Sequence, residues 1–153
     1  MSNRLYFDTS VFGGAFDDEF KGPTLKLFNK VISGDILCVY SDLSRTELSF
    51  APQFVREYFS QLPKENMEQI YINDEVIKLA NKYIEKKNLS PSSFDDCLHI
   101  AVATISRVNT LVSWNFKHIV NVNKISGYNS LNLVMGYSPI EIRSPVEILD
   151  HEN

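Results

Sequence analysis

The sequence predicts a three-layer α/β/α fold around a mostly parallel central sheet, and two observations lead there. Short apolar runs of strand length alternate along the chain with longer segments of helical periodicity, a pattern that implies βαβ units. The clearest run, Ile36-Leu37-Cys38-Val39-Tyr40, is apolar throughout, as a strand covered on both faces must be. With 153 residues, 44% of them hydrophobic, the chain has material for one domain, residues 1–153, with a sizeable core. Charged residues at 22% and aromatics at 12% lie in the globular range and away from disordered compositions.

Taken in order, Arg4-Leu5-Tyr6-Phe7 reads as a strand that stops at Asp8-Thr9-Ser10 and a loop carrying Gly13-Gly14. After Gly22-Pro23, the spacing of Leu25, Phe28, Val31 and Ile32 predicts a helix closed by Gly34. The Ile36–Tyr40 strand follows, and Ser41 or Asp42 can cap a helix carrying Leu43, Thr46, Glu47 and Phe50. Pro52 opens another helix through Leu62, and Met67 to Ile72 forms a short strand. Val76, Leu79, Ala80, Tyr83 and Ile84 keep strict helical spacing. Ser90-Pro91-Ser92-Ser93 breaks the chain before a helix from Phe94 to Ser106, apolar on nearly every face and so expected against the sheet. Thr110-Leu111-Val112-Ser113 is the next strand, ending at Trp114-Asn115, with a short helix or turn over 116–120. Apolar segments at 131–135, 140–142 and 146–149 leave their type open.

The formal charge of −4 excludes a surface that grips nucleic acid by overall basicity. It leaves room for a metal-dependent nuclease, because one divalent cation would reduce the sum to −2 and two would bring it to zero. Cys38 and Cys97 lack the spacing of zinc or disulfide motifs and are expected to be buried thiols. No charged leader with an apolar stretch opens the sequence, and no apolar run approaches a bilayer span, so a cytoplasmic location without membrane contact is expected.

In parallel α/β sheets ligands bind beyond the C-terminal strand ends, and here those ends are acidic or amide-bearing. Asp8 ends the first strand, Glu47 follows the second, Asp96 opens the buried helix, and Asn115 follows the next strand. Three converging carboxylates repel one another unless a counter-ion intervenes, and hard cations prefer such oxygen donors. The pieces Leu5-Tyr6-Phe7-Asp8-Thr9-Ser10, Val39-Tyr40-Ser41 through Glu47-Leu48, Asp96-Cys97-Leu98-His99-Ile100-Ala101-Val102-Ala103 and Leu111-Val112-Ser113-Trp114-Asn115-Phe116 resemble, in order and spacing, the motifs of the PIN-domain family, and within it the VapC-type toxins. The resemblance covers about three-quarters of the chain. It implies a PIN-like α/β/α fold and a ribonuclease in which Mg²⁺ or Mn²⁺ activates water to attack an RNA phosphodiester. Asp8 and Asp96 would be ligands, and Glu47 a ligand or the residue that orients the water. Asn115 would complete the catalytic set with a neutral amide oxygen where many relatives carry Asp, a departure that puts a second metal in doubt. A small antitoxin partner and a homodimer or higher oligomer also follow from the resemblance.

Each residue has a plainer alternative. Asp8 can be a turn former, Glu47 an exposed helix carboxylate, Asn115 a cap, and either Asp95 or Asp96 no more than a first-turn charge on the helix dipole. Ser10 and Ser113 read first as caps, and His99 as a partly buried structural histidine outside the ligand set. Lys117-His118 is either a phosphate contact or a solvated pair, and Asp17-Asp18-Glu19 is solvated acid. Phe12, Phe16 and Phe20 read as core before they read as an RNA groove or a dimer contact. At the level of function, the competing classes are a nuclease that processes RNA without an antitoxin and a catalytically inactive PIN-like module that binds RNA or a protein.

Overall fold

The computed structural model describes residues 3–87 and 89–150; the remaining residues of the expected 1–153 domain lie outside it. Five strands form one all-parallel sheet in the order β3-β2-β1-β4-β5, built from β1 (Asn3–Phe7), β2 (Ile36–Ser41), β3 (Met67–Ile70), β4 (Thr110–Val112) and β5 (Glu141–Arg143). Alternation along each strand divides the core in two. Tyr6, Val39 and Leu111 face the layer of α5 (Asp74–Lys86), α6 (Phe94–Ile105) and α7 (Val122–Val134). Leu5, Phe7, Cys38 and Val112 face the layer of α1 (Thr9–Gly14), α2 (Lys21–Ile32), α4 (Gln53–Gln61) and α8 (Pro145–Asp150). The expected three-layer α/β/α arrangement is therefore the observed one, with a sheet that is parallel throughout.

Most elements lie where the sequence pattern puts them; one does not, and the three segments left open take their type from the structure. The segment after Asp8 is helical instead of a loop, because the Asp8 carboxylate caps α1 by accepting from Ser10 N–H and the turn buries Val11 and Phe12. Residues 131–135 are only the end of α7, a 13-residue helix capped by Asn121. Its inward face carries Tyr128 and a fully buried Asn132, whose Oδ1 accepts from Tyr83 Oη at 2.5 Å, so a polar side chain at a core position hides the helical period. Segments 140–142 and 146–149 resolve into β5 and α8. Residues 116–119 form turns. Cys38 and Cys97 are buried free thiols. Among the described residues, no helix is long and apolar enough to cross a membrane.

The strand order reverses at β1. The chain first builds outward through β2 and β3, then returns to the other flank of β1 for β4 and β5. The crevice beyond the C-terminal ends of β1 and β4 is the topological switch point of this sheet. Register places Phe7 beside Val112 and Tyr6 beside Val39. Asp8 and Ser113 consequently leave the sheet side by side, with α3 (Asp42–Ser49) starting directly beyond β2.

Candidate active site

Asp8 sits at the centre of this edge and is 5% exposed. Its Oδ1 accepts from Ser10 N–H at 3.1 Å and from Ser10 Oγ at 2.5 Å, and its Oδ2 accepts from Ser113 Oγ at 2.9 Å. The two serines bind the neighbouring strand end as well: Trp114 N–H donates to Ser10 Oγ and Asn115 N–H to Ser113 Oγ, each at 2.9 Å. Ser10 and Ser113, read from sequence as plain caps, therefore stitch β1 to β4 through the Asp8 carboxylate. Burial pushes the Asp8 carboxyl above the usual aspartate range; His99 and the serine hydrogen bonds oppose that push and Glu47 adds to it.

Glu47 lies one and a half turns into α3 and is half-buried. Thr9 Oγ1 donates to its Oε1 at 2.6 Å, and His99 Nε2 approaches the same oxygen at 2.6 Å. Burial alone would raise this carboxyl, but His99 and Thr9 together hold it below the usual glutamate range. His99, expected to be a structural histidine outside the ligand set, bonds to Glu47 with one ring nitrogen and to Tyr6 with the other. It is buried on α6, its Nδ1 is 2.6 Å from Tyr6 Oη, and the pull of Glu47, Asp8 and Asp96 outweighs burial to raise its pKa. The available signal was its position three residues after Asp96, one turn deeper on the same helix.

Asp96 is half-buried in the first turn of α6 while Asp95 is exposed, which separates two residues the sequence left in competition. Burial raises the Asp96 carboxyl, and Asp8 and Glu47 raise it further against the pull of His118 and His99. Asn115 does reach Asp96, but not with its oxygen. The Asn115 Oδ1 accepts from His118 N–H at 2.9 Å, which turns Nδ2 toward Asp96 Oδ1 at 3.4 Å. The expected oxygen donor is thus occupied as a turn cap, and the amide offers N–H groups to the cluster. His118 Nδ1 is buried without a hydrogen-bond partner among the described residues, and Lys117 is exposed. Of the aromatic trio, Phe12 is core, Phe20 stacks on Trp114 at 4.1 Å, and Phe16 is 43% exposed against Phe54 and Tyr58.

No three His, Cys, Asp or Glu side chains among the described residues converge as a preformed ligand cluster. The chemistry of the donors nevertheless suits a hard cation. Burial and neighbouring carboxylates raise the carboxyls of both Asp8 and Asp96, and a divalent ion between them would favour their charged forms. Asp8 and Asp96 could hold such an ion, with Glu47 tied back by His99 beside them.

No family model matches the sequence, and no curated protein matches it. Solved structures do match. FitAcB from Neisseria gonorrhoeae superposes with a TM-score of 0.60 at 10% identity, covering 93% of this chain and 98% of that one. The chain has a PIN-like fold. VapBC2 from Rickettsia felis, bound to a DNA fragment from its promoter, aligns at 0.58 and 13% identity over 92% of this chain and 98% of that one. DNA-bound VapBC from Salmonella typhimurium aligns at 0.55 and 15% identity over 95% and 99%. In a PIN-like fold of this kind the Asp8 edge is also the edge where a parallel sheet of this topology binds its ligands.

Proposed function

We propose that this chain is a metal-dependent endoribonuclease, the toxin of a toxin–antitoxin pair, acting in the cytoplasm and restrained by a small antitoxin. The observation that carries the reading is the placement of Asp8 at the end of β1, Glu47 on α3 and Asp96 in the first turn of α6, with Asp8 tied to β4 through Ser113 and Asp96 facing Asn115 beyond β4. One solved structure with the same fold is a toxin–antitoxin complex from Klebsiella pneumoniae, matching at a TM-score of 0.55 and 16% identity, which supports an antitoxin partner and a homodimer or higher oligomer.

Mg²⁺ or Mn²⁺ held by Asp8 and Asp96 would neutralise charge that builds on the phosphoryl oxygens and acidify a water beside them. The protein's own part is positional. Asp8 is fixed by three hydrogen bonds from Ser10 and Ser113, Asp96 is set at the mouth of α6, and Glu47 can accept a proton from water or orient it. Asn115 Nδ2 and the Lys117-His118 turn stand on the Asp96 side, where N–H groups suit phosphate oxygens.

Asp8→Asn and Asp96→Asn each remove a charged ligand and should abolish Mn²⁺-dependent cleavage of mixed structured RNAs on gels, with the fold retained by circular dichroism. Undiminished cleavage by either nuclease-free variant refutes the assignment. A second reading, an inactive module that binds RNA or protein, is favoured by Asn115 presenting Nδ2 in place of an oxygen. An RNA complex that forms equally in Mn²⁺ and EDTA, without cleavage, would select it.

A further inference from the structure

The buried histidine holds Glu47 from behind. Oε1 of Glu47 receives two donors, Thr9 Oγ1 and His99 Nε2, both at 2.6 Å. Two donors fill the lone pairs of one carboxylate oxygen. Oε2 has no hydrogen-bond partner among the described residues.

His99 is fixed in turn by a chain that crosses the sheet. Its Nδ1 meets Tyr6 Oη at 2.6 Å, and Tyr6 Oη lies 2.8 Å from Ser41 Oγ and 3.3 Å from Ser44 Oγ. Those serines form the capping box that starts α3, the helix bearing Glu47. A neutral ring protonated on Nε2 satisfies the chain: the Ser41 hydroxyl donates to Tyr6, the Tyr6 hydroxyl to Nδ1, and Nε2–H to Glu47. Each end of the relay is thereby tied to α3, and the carboxylate has one orientation. A histidine that only filled core space would not commit both ring nitrogens, one of them to a half-exposed glutamate that solvent could satisfy.

We propose that His99 is the positioning residue for Glu47, saturating Oε1 together with Thr9 so that Oε2 alone serves the site, and that the chain accordingly binds one divalent ion, at Asp8 and Asp96. The inference rests on the nuclease reading. Asn115 points the same way, because its Oδ1 is turned to His118 N–H and its Nδ2, an N–H group that cannot ligate a cation, faces Asp96.

The test counts ions and watches the ring. Electron paramagnetic resonance of free Mn²⁺ during titration of the wild-type chain should give one bound ion per chain. Proton and nitrogen NMR should show a hydrogen-bonded His99 Nε2 proton far downfield in EDTA that survives saturation with Mg²⁺. On RNA, His99→Leu should lower kcat by about 10- to 100-fold with KM nearly unchanged. His99→Gln, which can donate to Glu47 and accept from Tyr6, should recover most of that loss. Two bound ions, disappearance of the proton in Mg²⁺, or equal kcat in the wild type and both variants overturns the inference while the nuclease reading stands. If His99→Leu fails to fold, the ion count and the proton signal of the wild type decide. A wild-type chain that binds no Mn²⁺ and cuts no RNA overturns the nuclease reading, and this inference falls with it.

Discussion

Replacing Gly14 by alanine should loosen the site from a distance, and the structure sets the size of the effect. A Cβ on Gly14 would stand 2.7 Å from Trp114 Nε1 and 2.9 Å from Thr24 Oγ1, the two ends of a single buried hydrogen bond of 2.9 Å. The indole is stacked on Phe20 and its backbone N–H is bound to Ser10, so it cannot yield without disturbing the group that fixes Asp8. Overpacking of this kind costs about 1–3 kcal/mol, and separating the buried donor and acceptor about 1–3 more. Alanine's better helix propensity returns about 0.5–1 kcal/mol. A net loss of about 1–5.5 kcal/mol lowers Tm by about 2–22 °C in a domain of this size. A Cβ on Gly13, next to it in α1, would meet nothing within 4 Å, so Gly13→Ala should be neutral or slightly stabilising. Calorimetry of both variants, with emission of the chain's single tryptophan as a local reporter, separates the cases. Equal Tm values and unchanged emission in the two variants would refute the close-approach argument.

Three further outcomes follow from the electrostatics. In EDTA, Tm should rise as pH falls from 8 to 6. The raised pKa of His99 makes its contribution full below about pH 6.5 and lost as pH climbs through the folded value, and the raised carboxyls of Asp8 and Asp96 act in the same direction as pH falls through their folded values. Glu47 opposes this only in stronger acid, as pH falls through its lowered pKa; a Tm that climbs from pH 6 to 8 in EDTA contradicts the signs. Mn²⁺ or Mg²⁺ at about 100 times its Kd should stabilise the fold by about 2.7 kcal/mol, so a thermal scan without any shift at millimolar Mn²⁺ counts against a metal site. Asn115→Asp replaces an N–H group facing Asp96 by a like charge, so Tm should fall in EDTA and rise in Mn²⁺ relative to the parent; overlaid curves in both conditions would reduce Asn115 to a turn cap.

What the sequence determined by itself was everything carried by period and punctuation. An apolar run such as Ile36–Tyr40 reads as a doubly covered strand, the spacing of Val76 to Ile84 reads as one helical face, and four polar residues at the ends of such elements point to one sheet edge. Local features blurred by polar or short segments were not legible: α1 owes its first turn to the Asp8 side chain, and α7 hides its inward face behind Asn132. Tertiary structure alone decided which atoms meet. Asp95 and Asp96 are adjacent in sequence and equivalent in charge, yet only one turns inward. Asn115 carries both an oxygen and an N–H donor, and the backbone of His118 fixes which one faces Asp96. His99 became part of the site because β1 and α6 cross at Tyr6, a contact between residues 93 positions apart that leaves no trace in either segment, since hydrogen-bond partners across a core are set by packing geometry and not by local pattern.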